Sequence, residues 1–537
     1  MRPTGTPESG IAQSLSRRSM FKLAAATGAA AAAAPLLDAC SSGSGSVPAS
    51  SSSAGSGGPR HGGDLRVAIL GGSSSDTLDA GREVTQPDAL RVMALYNGIV
   101  RLNSRAQVVN DLASELTPNA DATQWDIRLV QGVTFHNGKP LTADDIIFTL
   151  RRIMNPKSPL NGASALAPLD PSGMKALDSR TVRLKMRTPY ASFPEQISAV
   201  YNFGVVPVGY DPKKPVGTGP FAFQSFTPGQ QSVFTANKNY FQSGRPYLDS
   251  LTIIDSFASD TAAFNALQGG EVDAYAQATL TLSSQATSSG LSAVTSLPGQ
   301  WTPFTMRVDQ PPFNDVRVRQ AFRLIVNRPQ MITVSLSGFG SVGNDIFSQW
   351  DPAYDRSLAR HQDIAQAKSL LAKAGHSKLT LGLTTADIAP GVLQAAQVFA
   401  QQASQAGVTV NIKKVPVGTF YGPNYLHWNF AQDFWAYSPY LSQVAQGMLT
   451  TSPFNETHWN NPAYVSLYRQ ANATVDKAKQ TDLIHQMQRI DFNEGGYIIP
   501  AYNKQLDLLS PKVQGVRPSG TGIPLGNAEW ASLWLSK

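Results

Sequence analysis

The 537-residue chain has a single cysteine and only 15% charged residues. One cysteine excludes an internal disulfide and any thiolate cage for zinc. The net charge of +7 is spread along the chain without a block of Lys or Arg, so there is no electrostatic footprint for nucleic acid and no such partner is expected. The seven histidines are scattered and no H-E-x-x-H occurs. A G-x-S-x-G elbow and a Walker A loop are missing too. Gly217-Thr218-Gly219-Pro220 lacks the third glycine of a dinucleotide fingerprint, and its proline opposes a helix start, so it reads as a tight connection between domains. No catalytic residue, metal or cofactor is expected.

What is present starts at the N-terminus. Arg17 and Arg18 precede an uncharged, alanine-rich run from Leu23 to Leu37, in the pattern of an export signal that resembles a twin-arginine leader. The run is shorter than the ~20 apolar residues of a spanning helix. Cys40 follows in Leu37-Asp38-Ala39-Cys40, a position that resembles the lipobox of bacterial lipoproteins. Small or apolar residues are usual where Asp38 stands, which leaves two outcomes: lipidation of Cys40, or cleavage near Ala39 to a free protein. Residues 1–40 are thus assigned to the signal and the Ser/Gly-rich 41–62 to a tether.

The remainder, with 42% hydrophobic residues over the whole chain, is long enough for two or three domains. Strand and helix signals alternate, so the fold class is α/β. Asp64–Leu70 and Trp125–Leu129 read as strands, and Val133-Thr134-Phe135 as another before the Asn137-Gly138 turn. Thr142-Ala143-Asp144-Asp145 has the form of a capping box, with Ile146, Ile147, Leu150, Ile153 and Met154 on one face of the helix it starts. Asn314 or Asp315 caps a second helix whose Val318, Ala321, Phe322 and Ile325 face inward, leaving Arg317, Arg319 and Arg323 for a solvated or salt-bridged face. Leu379–Leu383, Val392–Gln405 and Val408–Val415 form a strand–helix–strand unit, preceded by a helix that ends at Gly375.

Six segments occur in order: Leu95–Val100, Gly132–Gly138, Thr142–Asp145, Pro215–Pro220, Leu267–Asp273 and Pro312–Phe322. Together they resemble family 5 of the bacterial extracellular solute-binding proteins, the oligopeptide, dipeptide and nickel receptors of ABC importers, from about Gly63 to the end. The resemblance implies a periplasmic-binding-protein-like fold (cluster C) with a ligand cleft between lobes. Domain I would comprise 63–105, 216–308 and 499–537, domain II 106–215 and domain III 309–498, the third closing over ligand. It implies a monomeric receptor that captures a peptide or peptide-like solute outside the cytoplasmic membrane, with permease subunits and a separate ATPase as partners, and a lipid anchor holding it at the membrane.

Within that resemblance the segment Asp433–Tyr440 is expected to line the cleft, with Asp433, its only acid, for a ligand ammonium and Trp435 and Tyr437 for apolar contact. Tyr502 and Trp301 complete the expected ligand-binding set. The alternative for the segment is that its aromatics are core and Asp433 a capping or exposed residue. Two other functions stay open: a nickel or metal-chelate receptor using His427 or His458, and, from a different class, an exported hydrolase, for which no nucleophile or carboxylate signature is visible.

Overall fold

The computed structural model describes residues 58–537. The signal, Arg17, Arg18, Cys40 and most of the tether lie outside the described residues.

Three principal sheets organise the chain, each backed by its own apolar core. The largest has eight strands. At its centre Asp64–Ile69 runs parallel to both Ser250–Ile254 and Ala274–Ala278. The two-residue period of a strand explains why this segment is so apolar: Leu65, Val67 and Ile69 enter one core while Ala68 enters another on the opposite face. Beyond Ser250–Ile254 the sheet continues antiparallel through Gln231–Ala236 and Phe221–Thr227. On the other side Ala501–Leu509 lies between Ala274–Ala278 and Ser292–Trp301, and the short strand Gly340–Val342 also pairs with it.

A four-stranded antiparallel sheet is formed by Ala113–Pro118, Gln124–Leu129, Thr181–Lys185 and Lys175–Asp178. Trp125, Ile127 and Leu129 point inward with Val182 and Leu184, and the outer face carries the cross-strand pair Arg183–Asp126 at 2.7 Å. The helix Ala143–Ile153 covers the inner face. It starts as expected, with the Asp145 carboxylate accepting the Thr142 backbone N–H at 2.9 Å, and it buries Ile146, Ile147, Leu150 and Ile153. Val133-Thr134-Phe135 is not a strand: one bridge, Thr134 to Pro140, and a turn at Asn137-Gly138 satisfy it, while Val133 and Phe135 remain in the core.

The third sheet has five strands and contains the expected strand–helix–strand unit: Leu379–Thr385 and Val408–Lys414 pair in parallel, joined by the helix Val392–Ser404. Its other strands are Phe430–Gln432, Phe304–Met306 and Tyr497–Ile498. Against it packs the helix Val316–Ile325, capped by Asp315. Here the expectation for the arginines needs correction. Arg317 is exposed and paired with Asp315 at 2.6 Å, but Arg319 and Arg323 are buried. They donate instead to the backbone carbonyls of Phe313, Asp491, Phe492, Glu494 and Tyr497, ends of elements that would otherwise be unsatisfied.

Gly217-Thr218-Gly219-Pro220 passes close to the end of the helix Gln86–Leu95. A Cβ at Gly217 would lie 2.0 Å from the Leu95 carbonyl oxygen and one at Gly219 2.4 Å from that of Ala94, so only glycine allows this contact. His136 clamps the same turn, its Nδ1 accepting from Gly217 N–H at 3.3 Å and its Nε2 facing the Gly219 carbonyl at 3.0 Å. Burial depresses its pKa, which suits the neutral ring with the proton on Nε2 that this pair of contacts requires.

Candidate functional site

The chain crosses between the eight-stranded and five-stranded sheets at Trp301–Phe304 and at Ile498–Ala501, and the segment Asp433–Tyr440 runs beside both crossings. Asp433 follows the last residue of the strand Phe430–Gln432, and its N–H donates to the Pro303 carbonyl at 3.2 Å. Trp435 then exchanges both backbone hydrogen bonds with Trp301, at 2.8 and 3.1 Å. The segment is therefore extended. Asp433, Trp435 and Tyr437 are buried, Phe434 is half-buried and Ala436 exposed, a two-residue period that its aromatic density hides in the sequence.

Trp301, Trp435 and Tyr502 are brought into one cluster. The Trp301 and Trp435 rings stack at 5.8 Å and 10°, Phe347 stacks on Trp301 at 5.9 Å, and Tyr497 meets it edge-on at 5.4 Å. Tyr502 lies opposite Trp301 in the sheet register and its hydroxyl donates to the Ile346 carbonyl. Tyr437 stands apart from this stack: its hydroxyl reaches the Ala106 carbonyl at 3.4 Å, and its ring and Trp350 crowd Gly299, which adopts φ +68°.

Asp433 is placed among tyrosines. Its carboxylate accepts from the Tyr421 hydroxyl at 2.6 Å, from the Tyr425 hydroxyl at 3.1 Å and from the Phe434 N–H at 2.8 Å. Asp433 lines a small cavity, of about 10 Å³, together with Phe420, Tyr425, Trp428 and a second carboxylate, Glu456. The expectation that Asp433 is the sole acid holds for its own segment but not for the site. Glu456 arrives from a different loop, and Tyr421 and Tyr425 from the connection after the helix Val417–Phe420. A carboxylate that accepts three hydrogen bonds is held in one orientation, and two acids beside an aromatic wall favour a cationic group.

At the rim, Arg307 donates to Asp309 at 2.8 and 2.6 Å, which holds the Asp309 carboxyl down at about 2. His458 Nδ1 lies 3.4 Å from the same aspartate, its Nε2 faces the Leu426 carbonyl at 2.9 Å, and the His427 ring is 5.7 Å away. The two histidines considered for metal are thus neighbours, yet no group of three or more His, Cys, Asp or Glu able to hold a metal ion occurs among the described residues. Across the molecule, Ala191 N–H donates to the Asn472 carbonyl at 2.7 Å, Ser192 to the Asn472 side chain at 2.7 Å, and Lys477 pairs with Glu195 at 3.1 Å. These join the four-stranded-sheet region to the helices Pro462–Asn472 and Lys477–Glu494.

The chain is similar over 479 residues to the glutathione-binding protein GsiB of Pectobacterium atrosepticum, 25% identical, covering 82% of this chain and 89% of that one. It is 27% identical over 359 residues to the oligopeptide-binding protein AppA of Bacillus subtilis, covering 63% of this chain and 64% of the relative. Among solved structures, HbpA2 from Haemophilus parasuis superposes with a TM-score of 0.78 at 19% identity, over 88% of this chain and 100% of that one. The model of the bacterial extracellular solute-binding proteins, family 5 (middle), matches residues 107–462, and the chain belongs to that family.

Proposed function

We propose that this chain is the exported receptor of an ABC importer, that it captures a peptide or peptide-like solute bearing a cationic group, and that Asp433 receives that group. The observation that carries the reading is the placement of the Asp433 carboxylate, oriented by the Tyr421 and Tyr425 hydroxyls, on a cavity that it shares with Glu456 and the Phe420, Tyr425 and Trp428 rings. The relatives, a glutathione-binding protein and an oligopeptide-binding protein, support a peptide-like ligand. Trp301, Trp435 and Tyr502 are buried in an aromatic core that fixes the segment carrying Asp433, and Tyr437 ties the same segment to the loop around Ala106. Residues 309–498 close on ligand, and the contacts of Asn472 and Lys477 with residues 191–195 are the closed-state clasp. Cys40 is the lipid attachment point, so Cys40→Ala should release the exported protein from the membrane fraction.

The test is calorimetry of the purified mature chain against a peptide library in two forms, with free and with acetylated amino termini. Free peptides should bind and acetylated ones should not. Asp433→Ala should weaken a free peptide by about 2–5 kcal/mol, the cost of a buried charge pair losing one partner. Equal binding of both forms would remove the cationic-group reading, and binding of a nickel chelate alone would transfer the assignment to the alternative receptor class.

A further inference from the structure

Behind the crossing at Ile498–Ala501 lies a second cavity, of about 320 Å³, lined by none of the residues assigned to ligand capture. Its polar lining is Asn327, Arg328, Asn344, Arg360, His361 and Gln362, and no carboxylate is among the lining residues. Arg328 is 2% exposed, and its Nε has no hydrogen-bond partner although it is buried. Its Nη2 meets both carboxylate oxygens of Asp345 at 2.8 Å, and its Nη1 donates to the carbonyls of Val326 and Arg360 at 3.4 and 3.3 Å. Asp345 is shared: Arg360 Nε lies 2.9 Å from it. A third guanidinium, that of Arg323, is fully buried close by and reaches its nearest acid, Asp491, only at 3.9 Å.

Three guanidiniums therefore face two carboxylates, and one of those two is weak as a counter-charge, since burial pushes Asp491 up to about 7. Burial also lowers Arg360, but only to about 10, so it is charged at neutral pH. An arginine excess cannot be relieved by giving up a proton, as a carboxylate excess can by taking one. The cost of the uncompensated charge is removed by an anion. The helix Arg328–Ser335 starts at the same cavity, adding the positive end of its dipole.

We infer that this cavity is an anion-binding site for a small oxyanion, a phosphate, sulfate or carboxylate, held by Arg328, Arg360 and the flanking Asn327 and Asn344 amides. Its walls come from both sides of the crossing: Val342 ends a strand of the eight-stranded sheet, whereas Asn327–Pro329 and Arg360–Gln362 belong to elements packed on the five-stranded one. An anion held there joins the two at the point where they meet.

The experiment is thermal denaturation of the mature chain in phosphate, sulfate and acetate, each against chloride at equal ionic strength, with calorimetry for the anion that stabilises most. One of the oxyanions should raise the melting temperature saturably above the chloride control. Val342→Asp and His361→Glu place negative charge on exposed parts of the lining without touching the buried arginines, and together they should weaken that anion at least tenfold while the protein without anion melts as before. Crystals grown with selenate should show its anomalous signal against Arg328 Nε. No saturable effect beyond chloride, an unchanged affinity in the double variant, or selenate bound only elsewhere overturns the proposal. Because the readout needs no peptide, its failure is separable from failure of the Asp433 reading.

Discussion

Two buried charge clusters in this chain are built with opposite imbalances. Around Arg91, on the helix Gln86–Leu95, one guanidinium meets three carboxylates: Asp76 at 2.9 Å, Asp88 at 3.2 Å and Asp255 at 2.5 Å. At Asp345 two guanidiniums, Arg328 and Arg360, share one carboxylate, and a third, Arg323, has only Asp491 at 3.9 Å. The acid-rich cluster is sealed, with Arg91 also donating to Ser232 and covered by the Phe226 ring at 5.0 Å. The arginine-rich one borders open space. The difference follows from acid–base chemistry: surplus carboxylates are quieted by a proton and can be walled in, whereas surplus guanidiniums stay charged and need a counter-ion that can reach them.

The comparison breaks most violently at Arg91. Arg91→Met leaves three buried carboxylates with no cation, and by the precedent of half-broken buried pairs the chain should lose about 3–5 kcal/mol of stability, read from urea unfolding. A loss no larger than that of a surface substitution would show that protons already balance the cluster. The next effect is in pH dependence. Burial raises Asp255 to about 6 and Asp491 to about 7, above the value near 4 of an unfolded carboxyl. Protonation of each therefore favours the folded chain, a contribution fully present below about pH 4 and lost as pH rises through the folded value. Asp255→Asn should flatten the stability profile between pH ~4 and ~6, and Asp491→Asn between ~4 and ~7. If Asp255→Asn leaves the slope unchanged, Asp255 is not the group that takes up a proton in the acid-rich cluster, and the contrast between the two clusters weakens. Smallest of all, Arg317→Gln breaks the exposed pair with Asp315 and should leave the melting temperature unchanged within measurement, which sets the scale against which burial counts.

What could be read from the residues alone was what neighbours in sequence decide. The Thr142–Asp145 cap, the Asp315 cap and the parallel unit across Leu379–Lys414 all depend on contacts or periods near in sequence, and each appears as expected. The burial of Arg319 and Arg323 was illegible because their partners are main-chain oxygens at residues 491–497, and a carbonyl has no letter in a sequence. The site was half legible. Of the residues named from the sequence only Asp433 lines the cavity, Trp435, Trp301 and Tyr502 being buried in the aromatic core, while Tyr425 and Glu456 reach that cavity and Tyr421 reaches Asp433 from loops whose fold depends on the whole five-stranded sheet. The one available signal was the aromatic density of Phe420, Tyr421, Tyr425 and Trp428 just upstream of Asp433.

The position of Ala501–Leu509 in the eight-stranded sheet bears on the order in which the chain can mature. This strand, made after every other strand of its sheet, is inserted between Ala274–Ala278 and Ser292–Trp301, two strands made more than 200 residues earlier. Until it emerges, both carry an open edge with unpaired backbone groups, the kind of edge that invites pairing with another chain. The four-stranded sheet, complete by Lys185, can form while the rest is still being made. A chain truncated before Ala501 should thus keep that smaller sheet and aggregate through the larger one, and closure of the long loop makes the final insertion the slow step of folding.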